Sequence, residues 1–338
     1  MSVRAPGYNS SAGRTGHCRG RASLKFAFLT VTYSGQFYDG PALTLLEQLR
    51  KARELGFGGI SVEAKRPVAS PLDLTPQDRR AIRTGAAAEH VELCAVESMS
   101  NFASPLMEER ENNLAMMRLV IDLASDLEVG IVKVFAAWPG VVNDEDETAF
   151  YAPYERGNYY KSLYPADLRR WRRVVSGLRE AADYAAERGI KLALQNHAPV
   201  LRPGYEDTLA ILRAVDRANV GLCLDAPLFH ERQSDGYMRE AVRACGDRIL
   251  LTHFGAWNFL ETAAGEIVQE PAPSVGGPIN YKQFLKELQQ TGYHGYLVSE
   301  YCLPCVKDHR IAGLDEIDLA NTRALAYMKS LVMAPQIA

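Results

Sequence analysis

Eight times along this chain a short run rich in β-branched and apolar residues gives way to a longer stretch of helical period, and few folds accommodate that rhythm. The strand-like runs are Lys25–Thr32, Gly59–Ala64, Val91–Ser98, Ile131–Trp138, Ile190–His197, Val220–Asp225, Ile249–Phe254 and Gly295–Tyr301. Between them the helical stretches are Pro41–Leu55, Pro76–Glu89, Met107–Leu127, Ala166–Arg188, Tyr205–Arg217, Tyr237–Cys245 and Tyr281–Thr291, and Leu314–Val332 follows the last run. Leu43, Leu46, Leu49 and Ala52 fall on one helix face, and Gly56, Gly189 and Gly292 stand where a helix must turn into the next strand. Strands joined by helical crossovers are parallel, which leaves an open doubly wound sheet or a closed barrel. An open sheet that binds dinucleotides carries G-x-G-x-x-G after its first strand, whereas this chain reads Thr32-Tyr33-Ser34-Gly35-Gln36. Eight units therefore predict a (β/α)8 TIM barrel.

The barrel is expected over residues 24–334 as a single catalytic domain. Residues 1–23 carry Arg4, Arg14, Arg19 and Arg21, no acid and no apolar core, and read as a flexible tail and not a secretory signal. Two connections are long, Pro139 to Pro165 after strand four and Asn258 to Ile279 after strand seven. Both leave the carboxyl ends of their strands, where barrel enzymes keep their active sites. Phe150, Tyr151, Tyr154, Tyr159, Tyr160 and Tyr164 make the first of them an aromatic wall, or a dimer contact. Thirty-eight basic against forty-one acidic residues leave a net charge of −3, which offers no general field for nucleic acid or an anionic membrane. No apolar run is long enough to span a bilayer. The six scattered cysteines read as reduced thiols, which implies a cytoplasmic protein.

The chemistry gathers at the ends of the late strands. Strand five ends Gln195-Asn196-His197, strand six in Asp225, strand seven in Thr252-His253 and strand eight in Ser299-Glu300. Successive strand ends of a closed barrel converge, so Gln195, Asp225, His253 and Glu300 form a candidate ligand set. Its hard oxygens and single imidazole suit Mn²⁺ best, with Mg²⁺ or Co²⁺ as alternatives. Taken singly, each residue also has a bland reading, as a helix cap or a satisfied core histidine.

With these residues in place the chain resembles the xylose isomerase-like barrels, the sugar phosphate isomerase/epimerase family. The resemblance runs roughly from Leu24 to Val332. It implies a metal held by Glu, Asp, His and Glu at the ends of strands five to eight. Asp225, His253 and Glu300 match, and Gln195 departs, because the family usually has Glu there. The resemblance also implies paired glutamates that pass a proton beside a sugar carbonyl polarised by the metal. An amide cannot take a proton, so one base is missing. His197, two residues beyond Gln195 and on the same strand face, is the first candidate to replace it, and His230 the second.

One base suffices to begin an elimination. The leading expectation is therefore a lyase outcome on an oxidised sugar, such as C-glycosidic cleavage of a 3-oxo-glucoside. This resembles the α-subunits of bacterial C-glycoside deglycosidases, which work beside a small β-subunit. A keto-sugar epimerase or aldose–ketose isomerase is the alternative, and dehydration of a keto acid a lesser one. The partners expected are thus a small sugar or glycoside, and a small β-subunit or a second copy of the chain. Apurinic endonucleases share the barrel, but they hold three metals with more histidines than this chain offers; His17, His90 and His294 lie in the tail, a helix end and a turn.

Glu63, Glu97 and Lys133 are polar residues near the ends of strands two to four. Lys133 sits in an apolar run and needs a partner, for which Glu97 is the natural choice; substrate contact by Lys133 and Glu97 is the other reading. Trp138 and Trp257 are placed to stack on a sugar or aromatic ring, or simply to wall the cleft. Cys302-Leu303-Pro304-Cys305 lacks the context of a redox motif and reads as a tight loop beside the metal.

Overall fold

The computed structural model describes residues 24–104, 106–137, 168–196, 204–226, 234–255, 257–261, 267–271, 279–302, 306–307 and 310–333. Eight parallel strands close a barrel: β1 (Lys25–Leu29), β2 (Gly59–Glu63), β3 (Glu92–Glu97), β4 (Ile131–Val134), β5 (Lys191–Gln195), β6 (Val220–Asp225), β7 (Ile249–Gly255) and β8 (Tyr296–Glu300). Each strand pairs with its neighbour in sequence, and β1 closes the ring against β8 with Lys25 opposite Tyr296 and Phe28 opposite Ser299. The helices are α1 (Leu45–Leu55), α2 (Pro76–Glu89), α3 (Met107–Asp126), α4 (Leu168–Ala186), α5 (Tyr205–Val215), α6 (Asp235–Cys245), α7 (Tyr281–Gln290) and α8 (Leu314–Met333).

Side chains alternate along each strand, and the alternation sorts the core into two. Ala27, Leu29, Ala95, Ala193, Cys223, Leu251, Tyr296 and Val298 fill the cylinder. Phe26, Phe28, Ile60, Val62, Val96, Leu192, Leu194, Leu222, Leu224 and Leu297 pack outward under the helices. Continuing the inward series one step leads to Glu97, Gln195, Asp225, His253 and Glu300. The same period that builds the core thus aims these residues at the carboxyl mouth.

Local chemistry sets the element ends. Thr44 caps α1 and Thr75 caps α2, each in a reciprocal box with Glu47 or Asp78, and Pro76 begins α2. Gly56 ends α1 at φ 84°, in the left-handed region that a side chain disfavours. Leu43 therefore precedes α1 and is not its first apolar residue.

Three strands, β1, β4 and β5, end two or more residues earlier than the sequence suggests. After Leu29 the β-branched run Thr30–Tyr33 coils into a 3-10 turn, and Thr30 Oγ1 accepts the Glu63 N–H at 2.9 Å in place of a strand neighbour. Beyond Val134 the Phe135 N–H goes to Ser100 Oγ at 2.9 Å. Strand five ends at Gln195, so His197 falls beyond both the strand and the described residues. The connection after β7 is not all loop: Trp257–Glu261 and Ile267–Pro271 pair as an antiparallel hairpin. Strand seven ends at Gly255, so Trp257 opens that hairpin and does not close the strand. The aromatic connection after β4 and the tail 1–23 lie outside the described residues. Among the described residues no helix is long and apolar enough to cross a membrane.

Candidate metal centre

At the carboxyl mouth one ligand atom each from Asp225, His253 and Glu300 lies within 4.8 Å of the others. Asp225 and His253 sit opposite one another in the β6–β7 register, and β8 brings Glu300 alongside. His253 Nδ1 stands 3.0 Å from Glu300 Oε2. Gln195 completes the group from β5: its Nε2 donates to Asp225 Oδ2 at 2.7 Å and lies 3.3 Å from His253 Nδ1. Gln195, Asp225 and His253 are buried, whereas the Glu300 side chain keeps 18% of its surface open.

Two buried oxygens of this group, Gln195 Oε1 and Asp225 Oδ1, have no hydrogen-bond partner among the described residues. Buried polar atoms are normally satisfied, so such a pair in one cluster needs a cause. The electrostatics agree. Burial, and next the neighbouring Glu300 carboxylate, push Asp225 up to about 7. Burial alone would disfavour a charged His253, but Cys223, Glu97 and Glu300 around it hold its pKa well above the ordinary value. Carboxylates gathered at close range in a low dielectric repel until a cation joins them. The donor set of carboxylate oxygens, one imidazole and one amide oxygen fits a divalent cation.

Asn196, which sequence reasoning left without a role, clasps the end of β6: its Oδ1 accepts the Asp225 N–H at 2.7 Å and its Nδ2 reaches the Asp225 carbonyl at 3.4 Å. Its place beside Gln195 at a strand end was the available signal.

Glu97 and Lys133 form an ion pair at 3.0 Å, both almost wholly buried. Burial opposes the Glu97 charge, but Lys133 and then His253 hold its pKa well below the usual carboxylate range. Glu97 Oε1 also lies 3.1 Å from His253 Nε2 and accepts from Ser61 Oγ at 2.5 Å. It therefore stands behind the imidazole, on the side away from Glu300. Ser61 is a second residue missed in the sequence, where a serine inside an apolar strand gives little signal. Glu63 pairs with Lys65 at 3.2 Å. His197, His230 and Trp138 lie outside the described residues, as do Leu303, Pro304 and Cys305 of the C-x-x-C, and only the backbone of Trp257 is described.

Comparison with known proteins places the chain in a family. The chain is 30% identical over 146 residues to the 2-oxo-tetronate isomerase of Haemophilus influenzae, which covers 42% of this chain and 50% of the relative. It is 28% identical over 181 residues to the L-ribulose 3-epimerase of Methylomonas sp., covering 49% and 58% respectively. The matches thus span about half the length of the curated relatives. Among solved structures, D-psicose 3-epimerase of Clostridium cellulolyticum H10 superposes with a TM-score of 0.68 at 18% identity, over 92% of this chain and 100% of that one, a likeness of fold. The family model described as xylose isomerase-like TIM barrel matches residues 49–323. With a closed eightfold barrel and that match over most of its length, the chain belongs to the xylose isomerase-like TIM barrel family.

Proposed function

We propose that this protein is a divalent-metal-dependent enzyme that moves a proton beside the carbonyl of a small keto sugar, with isomerisation or epimerisation as the outcome. The observation that carries the reading is the convergence of ligand atoms of Asp225, His253 and Glu300 within 4.8 Å of one another, with two unsatisfied oxygens among Gln195 and Asp225. The names of the relatives, a tetronate isomerase and a ribulose epimerase, agree in reaction class.

Asp225, His253 through Nδ1 and Glu300 would hold the ion, joined by the amide oxygen of Gln195 once that amide turns over to bring its oxygen, in place of Nε2, towards them; Mn²⁺ is the first choice and Mg²⁺ or Co²⁺ the alternatives. Such an ion, when bound, polarises a carbonyl and steadies negative charge on its oxygen. Glu300 alone of the four reaches towards the open side, which makes it the nearest base for a proton on the substrate carbon. Gln195 positions without exchanging protons. The return of the proton is then assigned to His197, two residues beyond Gln195 in the sequence, with His230 as the second candidate. Trp138 and Trp257 are assigned to the sugar ring as apolar platforms. The buried Glu97–Lys133 pair leaves neither residue turned to the substrate.

Gln195 favours one second reading. With a single carboxylate base, proton removal followed by loss of a leaving group needs no return from the opposite face. C-glycosidic cleavage of a 3-oxo-glucoside, beside a small β-subunit or a second copy, is that outcome.

Proton NMR in D₂O on the Mn²⁺-supplemented protein separates them. With L-ribulose and D-psicose, deuterium at the inverted carbon of product is the expected result. Release of an aglycone from a 3-oxo-glucoside, with no exchange into either ketose, overturns the epimerase reading. The metal-dependent reading falls if Asp225→Asn retains wild-type activity.

A further inference from the structure

The two nitrogens of His253 face opposite ways. Nδ1 looks into the ligand cluster, 3.0 Å from Glu300 and 3.3 Å from Gln195. Nε2 looks back across the barrel, 3.1 Å from Glu97 Oε1. The β3 and β7 strands are not neighbours in the ring, so this contact crosses the interior. Glu97 is fully buried and firmly placed: Ser61 donates to Oε1 at 2.5 Å from β2, and Lys133 Nζ meets Oε2 at 3.0 Å from β4. Lys133 is itself fixed by its ammonium lying 3.7 Å from the centre of the Phe135 ring.

Glu97, paired with Lys133, only accepts hydrogen bonds, so the Nε2 that faces it carries a proton. Nδ1 also faces a carboxylate, that of Glu300, but the donor-only amide N–H of Gln195 at 3.3 Å calls for a lone pair there. The proton on one imidazole nitrogen leaves the lone pair of the other available to a cation. We infer that Glu97 is a positioning residue of the centre: it fixes His253 as the Nε2–H form with Nδ1 turned to the metal, and Ser61 and Lys133 hold Glu97 in that pose. This rests on the metal reading above. Lys133 has a second effect, because it neutralises Glu97 on the spot and keeps that charge from adding to those of Asp225 and Glu300. Three strands that hold no ligand, β2, β3 and β4, thus orient one that does.

The test uses the full-length, metal-stripped chain and Mn²⁺ alone, titrated in competition with a chelator, with a thermal melt of each variant. Glu97→Leu combined with Lys133→Met removes the pair without leaving a lone buried charge. It is expected to weaken Mn²⁺ binding about 10- to 100-fold while melting cooperatively. Glu97→Gln keeps an oxygen facing Nε2 and should recover most of the affinity. In ¹⁵N NMR of the Mg²⁺-loaded protein, a protected Nε2–H of His253 is expected in the wild type and in Glu97→Gln, and not in the double variant. If the double variant does not melt cooperatively, Ser61→Ala takes its place, with an expected loss of about fivefold.

Mn²⁺ affinity in the folded double variant within twofold of the wild type overturns the role of Glu97 and leaves the metal reading standing. Unchanged affinity in Ser61→Ala does the same where that variant is the one measured. A wild-type chain that takes up no Mn²⁺, or no more than Asp225→Ala does, overturns both.

Discussion

The two halves of the barrel mouth handle charge in opposite ways. On β2 to β4 each inward carboxylate has a lysine: Glu63 has Lys65, and Glu97 has Lys133. On β5 to β8 Asp225 makes no ion pair with a lysine or arginine among the described residues, and one of its oxygens is left without any partner. Both halves descend from the same period-two pattern, and Asp225 and His253 are as deeply buried as Glu97 and Lys133, so burial alone does not separate them. The separation lies in whether the protein supplies the countercharge. The β2 to β4 half carries its own lysine countercharge; Asp225 in the other half does not, and on the proposed reading that half takes its cation from outside.

That contrast has measurable consequences. Lys133→Met strands Glu97 without its cation and should lower the unfolding free energy by about 3–5 kcal/mol in urea denaturation. A loss no larger than that of a surface substitution would erase the distinction between the halves. Adding Mn²⁺ at one hundred times its dissociation constant should stabilise the wild type by about 2.7 kcal/mol in the same assay, with no gain for Asp225→Asn. Without metal, Asp225→Asn should move stability the other way from Lys133→Met. It replaces an unsatisfied buried carboxylate, for an expected gain of about 1–3 kcal/mol. Thr75→Ala, at the cap of α2 and remote from the ion-binding residues, should cost about 1 kcal/mol and leave the Mn²⁺ titration untouched.

Much of this was legible in the chain because one periodicity does two jobs. Alternation of apolar residues along eight strands announced the barrel, and continuing it by one step pointed to Gln195, Asp225, His253 and Glu300. What stayed hidden depended on contacts across the barrel interior. Nothing local to Ser61 or Glu97 says that the first holds the second against an imidazole carried by β7. Strand ends were misjudged for a related reason: Thr30 and Ser100 replace ladder partners with side-chain oxygens, and propensity cannot see that substitution. The hairpin after β7 escaped because Trp257–Glu261 and Ile267–Pro271 were read as one connection by its length and not by its β-forming residues.

Closure of the ring by β1 against β8 also sets the order of assembly. Lys25 cannot find Tyr296, about 270 residues further on, until all the strands between them have been synthesised, and such distant partners make folding slow. Glu300 is carried by that same closing strand. A nascent chain on the ribosome thus lacks the last member of the Asp225, His253 and Glu300 cluster until this strand emerges, and termination before Glu300 leaves an unsealed, aggregation-prone sheet.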